Sequence, residues 1–132
     1  MLIAATKYSD CEAALTFLRD VLGLSEHNVF RGEAGAIQHA QLRLGTGIFM
    51  FGPDTQQGDF GQFMISPADT GGRATVSLYA VMADVSGCFA RVRDAGTEIL
   101  LPLTAQDHGG SAFTCRDPGG HVWTVGDYDP QS

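Results

Sequence analysis

No apolar run in this 132-residue chain approaches the ~18–20 residues that a membrane-crossing helix needs. The opening stretch MLIAATKYSDCEAAL has no basic segment ahead of its apolar residues, so a secretory leader is not expected. Cysteine is scarce: Cys11, Cys88 and Cys115 are odd in number and none stands at C-x-x-C spacing. Neither a disulfide framework nor a zinc knuckle is expected, and the cytoplasm is the expected compartment. Positive charge is also scarce, with 8 Lys and Arg against 15 Asp and Glu, giving a formal net charge of −7. Such a surface repels phosphate backbones and anionic lipid, so no nucleic-acid or membrane partner is expected. It favours cationic ligands weakly.

What remains is a globular composition, 44% hydrophobic, in a chain long enough for a single domain spanning 1–132. Two stretches share one plan. YSDCEAALTFLRDVLGL begins with Ser9 or Asp10 as N-cap, carries Leu15, Leu18 and Leu22 at helical spacing, and ends at Gly23. MADVSGCFARVRDAGTE repeats this with Asp84 as cap, Phe89, Val92 and Ala95 as stripe, and Gly96 as the stop. Asp10 and Asp84 lie 74 residues apart, and Gly23 and Gly96 lie 73 apart.

Each expected helix follows one strand and precedes three. The first unit reads as strand 2–8, helix 10–22 and strands 26–31, 36–44 and 47–51. The second reads as strand 75–83, helix 85–95 and strands 98–105, 111–116 and 121–126. The expected fold is α+β: tandem βαβββ modules, 1–52 and 73–128, forming a curved mixed sheet around a cleft. The Gly/Pro-rich stretch 53–72 reads as a linker or flap, with Phe60, Phe63 and Met64 able to close over a site.

The tandem plan, together with AALTFLRDVLGL, HAQLRLGTGIFMFG and RDPGGHVWTVGDY, resembles the vicinal oxygen chelate superfamily. That group includes glyoxalase I, extradiol dioxygenases and bleomycin-resistance proteins. The resemblance covers nearly the whole chain and is nearest to its PhnB-like, glyoxalase-like branch. It implies a homodimer. In metal-using members, one His, Glu or Gln ligand comes from each of four strands. Aligned on the helix caps and the Asp117 turn, those positions fall at Ile3, Met50, Leu78 and Thr124. The strand segments LIAATKY, GIFMF, TVSLYAVMA and VWTVG contain no His, Asp, Glu, Gln or Cys. A divalent ion needs three or four N, O or S donors. Neither a bound metal nor another cofactor is therefore expected.

Strand alternation assigns the faces. With Gly45-Thr46 as a two-residue turn, Gln41 lies opposite Met50, Arg43 opposite Ile48 and Leu42 opposite Phe49. Ala40, Leu42, Leu44, Phe49 and Phe51 then face the helix, whereas His39, Gln41, Arg43, Ile48 and Met50 face the cleft. In the second unit Tyr79, Val81, His121, Trp123 and Val125 are assigned to the helix side. Leu78, Ala80, Met82, Val122 and Thr124 are assigned to the cleft, joined by Phe113 and Cys115 if the Pro118 turn has four residues. The expected ligand-binding set is His39, Gln41, Met50, Leu78, Phe113 and Thr124. An apolar wall with few polar groups suits an apolar or aromatic, possibly cationic, small molecule. No catalytic residue is identified. The one candidate is His39, a general base in a glyoxalase-like lyase or isomerase, or simply a wall histidine.

Overall fold

The computed structural model describes residues 1–54, 60–107 and 109–132. Residues 55–59 of the expected linker lie outside the described residues. Strand β1 (Ala4–Tyr8) leads into helix α1 (Cys11–Thr16), which continues as a π-helical segment (Phe17–Leu22). Strands β2 (Ser25–Arg31), β3 (Ile37–Leu44) and β4 (Gly47–Pro53) complete the first module. The second has β5 (Leu78–Val81), α2 (Val85–Asp94), β6 (Ile99–Ala105), β7 (Ser111–Arg116) and β8 (Val122–Gly126). The tandem βαβββ plan is thus present, although β5 is shorter than the expected 75–83. The modules form two four-stranded mixed sheets, ordered β1-β4-β3-β2 and β5-β8-β7-β6.

Local chemistry explains the boundaries. Asp10 caps α1, its carboxylate accepting from the Ala13 N–H at 3.0 Å, and Asp84 caps α2 through Gly87 N–H at 2.9 Å. A Cβ on Gly87 would fall 2.2 Å from one oxygen of that Asp84 carboxylate, so a side chain there would make the cap rotate, as the Asp10 cap already accommodates Ala13. Expected as one regular helix, 10–22 instead widens in its second half. Gly23, at φ 100°, and Leu24 both donate to the Leu18 carbonyl, at 3.1 and 2.8 Å. The carbonyls of the last turn are taken up by the other module. Arg91 Nε donates to Val21 O at 3.0 Å, and Cys88 Sγ lies 3.5 Å from Leu22 O. The two helices therefore pack side by side through a polar lock as well as apolar contact.

The core lies between the helices and the inward sheet faces, where Leu18, Leu22, Ala40, Leu42, Val92 and Val125 are fully buried. Phe49 meets Trp123 edge-on with ring centroids 5.0 Å apart, joining the two modules. Among the described residues no helix is long and apolar enough to cross a membrane.

Candidate functional site

The β3–β4 register is the expected one: Gln41 beside Met50, Arg43 beside Ile48 and Leu42 beside Phe49. Gly45, at φ 57°, supplies the left-handed first position of the two-residue turn. Ala40, Leu42, Phe49 and Phe51 are buried against the helix, leaving His39, Gln41 and Met50 on the other, open face. Phe30 pairs with His39 across the strands and its ring lies 5.9 Å away, adding an aromatic to that face.

Gln41 is the polar centre of the first open face. Its amide nitrogen lies 3.2 Å from His39 Nε2 and 3.9 Å from Met50 Sδ, while its carbonyl accepts from Asn28 at 3.5 Å. An amide N–H donating to Nε2 leaves the His39 proton on Nδ1. Among the described residues no carboxylate contacts His39, so nothing there supports an imidazolium during proton transfer.

The second module corrects the face expected of Leu78 and of Phe113. Parallel pairing puts Leu78 beside Trp123 and Ala80 beside Val125, on the buried side, and Tyr79 beside Thr124 on the open side. The face assignment for β5 was inverted. Measured from equivalent caps, Leu78 corresponds to Ala4, which pairs with inward Phe49. Phe113 and Cys115 also face inward, paired with Val125 and Trp123. Five residues, not four, separate the paired positions Arg116 and Val122, and an odd count reverses the parity. Phe113 packs on Phe89 of α2 with centroids 5.2 Å apart. Thr124 keeps its expected open-face place and shares a 2.8 Å hydrogen bond with Thr114.

Tyr79, like Val81, is an open-face residue that sequence alternation placed inward. Its hydroxyl donates to Tyr128 O at 2.8 Å, and its ring crosses Gly126, where an added Cβ would come within 2.6 Å of the hydroxyl oxygen. A glycine in a strand opposite a β5 aromatic was the available signal.

His121 is on the inward side, as expected. Its Nε2 lies 3.1 Å from Lys7 O and 3.3 Å from Thr6 Oγ1, so the ring pins β1 to the start of β8. Beside it, Asp117 is buried and accepts four donors. Tyr8 Oη (2.5 Å) and Trp123 Nε1 (2.9 Å) reach Oδ2, and the Gly119 and His121 backbone N–H groups reach Oδ1 at 3.0 Å each. Burial, and then the adjoining carboxylate, hold the Tyr8 hydroxyl well above the usual tyrosine range. Asp117 therefore serves as an internal acceptor tying the first strand to the last hairpin.

A cleft of about 920 Å³ runs along α1 to the β7–β8 turn, with Phe17, Val21, Glu98 and Arg116 in its walls. Its carboxylates Glu12 and Glu98 are held by Arg31 and Arg116. A second pocket, about 350 Å³, lies at the seam between β1 and β5, roofed by Met64, Ile65 and Val76. The flap thus covers the seam, where Leu78 lines the wall, while His39, Gln41, Met50 and Thr124 border neither cavity.

A metal does not fit the open faces. By the 74-residue repeat Ala5 matches Tyr79 and Met50 matches Thr124, which offers one thioether, one phenol and one hydroxyl. Among the described residues no three His, Cys, Asp or Glu side chains come together. Neutral hydroxyl, phenol and thioether groups are too weak and too sparse a donor set for a divalent ion.

Residues 5–125 match the glyoxalase/bleomycin resistance protein/dioxygenase superfamily. The chain belongs to that superfamily. It is 29% identical over 117 residues to the Mycobacterium bovis protein Mb0911c, covering 89% of this chain and 76% of that one. TioX from Micromonospora sp. ML1 superposes with a TM-score of 0.72 at 29% identity, over 96% of this chain and 94% of TioX. A lactoylglutathione lyase from Agrobacterium tumefaciens shares the fold, with a TM-score of 0.64 at 20% identity, over 96% of this chain and 91% of the lyase. Membership sets the fold; the activity has to be argued from the side chains.

Proposed function

We propose that this superfamily member is a small-molecule binding protein that works without a metal. Its ligand is apolar or aromatic, with a cationic group favoured over an anionic one, and lies against the open sheet faces. The observation that carries the reading is the make-up of those faces. Phe30, Ile48 and Met50 surround Gln41 and His39 on one, and Tyr79 and Leu101 flank Thr114 and Thr124 on the other, so apolar side chains alternate with a few hydrogen-bonding groups. That is the composition of a pocket for an organic molecule. The net charge of −7 favours a cation over an anion at long range.

Each open face is one wall of a cleft. Phe30, Tyr79 and Leu101 stand on these faces 51%, 46% and 62% exposed, a large apolar area for a monomer to leave in water. We therefore take the working form to be a homodimer, in which the open face of one module meets that of the other module in a second copy. Three free, buried cysteines are consistent with a cytoplasmic setting.

The test is a calorimetric screen of aromatic amines and neutral aromatics against protein dialysed with chelator. Saturable binding at one site per open-face pair, unchanged by added Ni, Zn, Fe or Mn, is expected. Stoichiometric metal retained through purification, with binding lost on chelation, refutes the reading in favour of a lyase or isomerase at an atypical site.

A further inference from the structure

The seam pocket differs chemically from the rest of the molecule. In a protein with 15 acidic and 8 basic residues, its lining contains no aspartate or glutamate. It does contain an arginine, Arg73, which is exposed and takes part in none of the ion pairs among the described residues. Its walls include the apolar Phe49, Leu78, Met64, Ile65 and Val76, together with small residues, three threonines and His121. Phe49 and the neighbouring Pro67 are buried, which gives the pocket a firm floor. Thr70 hydrogen-bonds through its hydroxyl to the carbonyls of Pro67 (3.1 Å) and Arg73, fixing the loop that carries the guanidinium. At about 350 Å³ the cavity matches a compact organic molecule.

We propose that this pocket is a second binding site, separate from the open faces, for a small aromatic carboxylate. The ring fills the space between Phe49, Leu78 and the flap residues Met64 and Ile65, and the carboxylate meets Arg73. Charge complementarity supports this occupant, because the lining holds one arginine that is in no ion pair among the described residues, and no acid. The planar guanidinium fork also suits a carboxylate in particular. The proposal does not rest on the open-face reading.

The experiment compares 1-naphthoate with neutral 1-naphthamide by calorimetry on the full chain. Naphthoate is expected to bind the native protein more tightly. Arg73→Gln should weaken naphthoate by about fivefold, the scale of an exposed charge pair, and leave naphthamide unchanged. Ala4→Trp, which fills the pocket from an exposed position of β1, should abolish both. Arg93→Gln, an exposed cation on α2, should alter neither, so that loss of a positive charge alone is not mistaken for loss of the site. The proposal is overturned if the native protein binds no naphthoate at millimolar concentration, or if Arg73→Gln leaves its affinity unchanged. It is also overturned if Ala4→Trp converts a dimer to monomer in sedimentation without naphthoate binding to the native protein, since a second copy would then cover the seam.

Discussion

Replacing Asp117 with asparagine alters one atom in the best-connected buried group of the molecule. The amide can keep its oxygen toward the Gly119 and His121 N–H groups, now 3.0 Å from Oδ1. Its NH₂ then points at two donors, Tyr8 Oη and Trp123 Nε1. The tyrosine hydroxyl can rotate to accept from the amide. Indole N–H cannot, and is left buried against another donor. One bond to a charged acceptor is lost outright and the others lose their charge assistance, so we expect destabilisation of about 2–4 kcal/mol. Tyr8→Phe removes a single donor and should cost about 1–2 kcal/mol. In the double variant the two effects should not add, because they share one contact. Urea unfolding followed by fluorescence of Trp123, the sole tryptophan, measures all three. An Asp117→Asn variant within ~0.5 kcal/mol of the native protein would refute the account of Asp117 as an internal acceptor.

Gly119→Ala should destabilise by about 1–3 kcal/mol in the same assay, because its Cβ would lie 2.5 and 2.8 Å from buried Tyr8 ring carbons; Gly35→Ala, in open space but at positive φ, separates steric crowding from backbone strain. Alkaline pH should weaken the fold. Burial, then Cys88 and Asp117, push the Cys115 thiol from 9.0 to about 12, and burial, then Asp54, Asp10 and Glu12, push Cys11 to about 11. The unfolded chain therefore loses protons above pH ~9 that the folded chain keeps, and the urea midpoint should fall between pH 9 and 12. A midpoint that rises across that range would contradict the burial of these thiols. His39→Ala should weaken an open-face ligand by roughly 1–2 kcal/mol in calorimetry, the loss of one buried hydrogen bond, and unchanged affinity would remove it from that site.

The parts of the fold legible in the sequence are those governed by short range. Two capping aspartates 74 residues apart exposed the duplication, and the Gly45-Thr46 turn fixed the register of Gln41 and Met50. The Asp117 turn offered no such certainty. Its length depends on a carboxylate that folds back on its own loop, and one residue of difference turned Phe113 inward. Leu78 was misplaced because an aromatic neighbour, Tyr79, looks like the better core residue until Gly126 is seen to make room for it outside. The π-helical segment left no mark in the apolar pattern, since the Arg91 that takes up the carbonyl of Val21 is 70 residues away.

The seam formed by Tyr8, His121 and Asp117 also governs the order in which the protein can be completed. Tyr8 and Asp117 are 109 positions apart, and the His121 contacts to β1 span 114 and 115. A ribosome releases the first strand long before its partner residues exist. During synthesis the leading module can form its own sheet, but its Tyr8 hydroxyl has no acceptor from Asp117 until the turn between β7 and β8 emerges, 109 positions later. Truncation at the C-terminus should therefore loosen the N-terminus first.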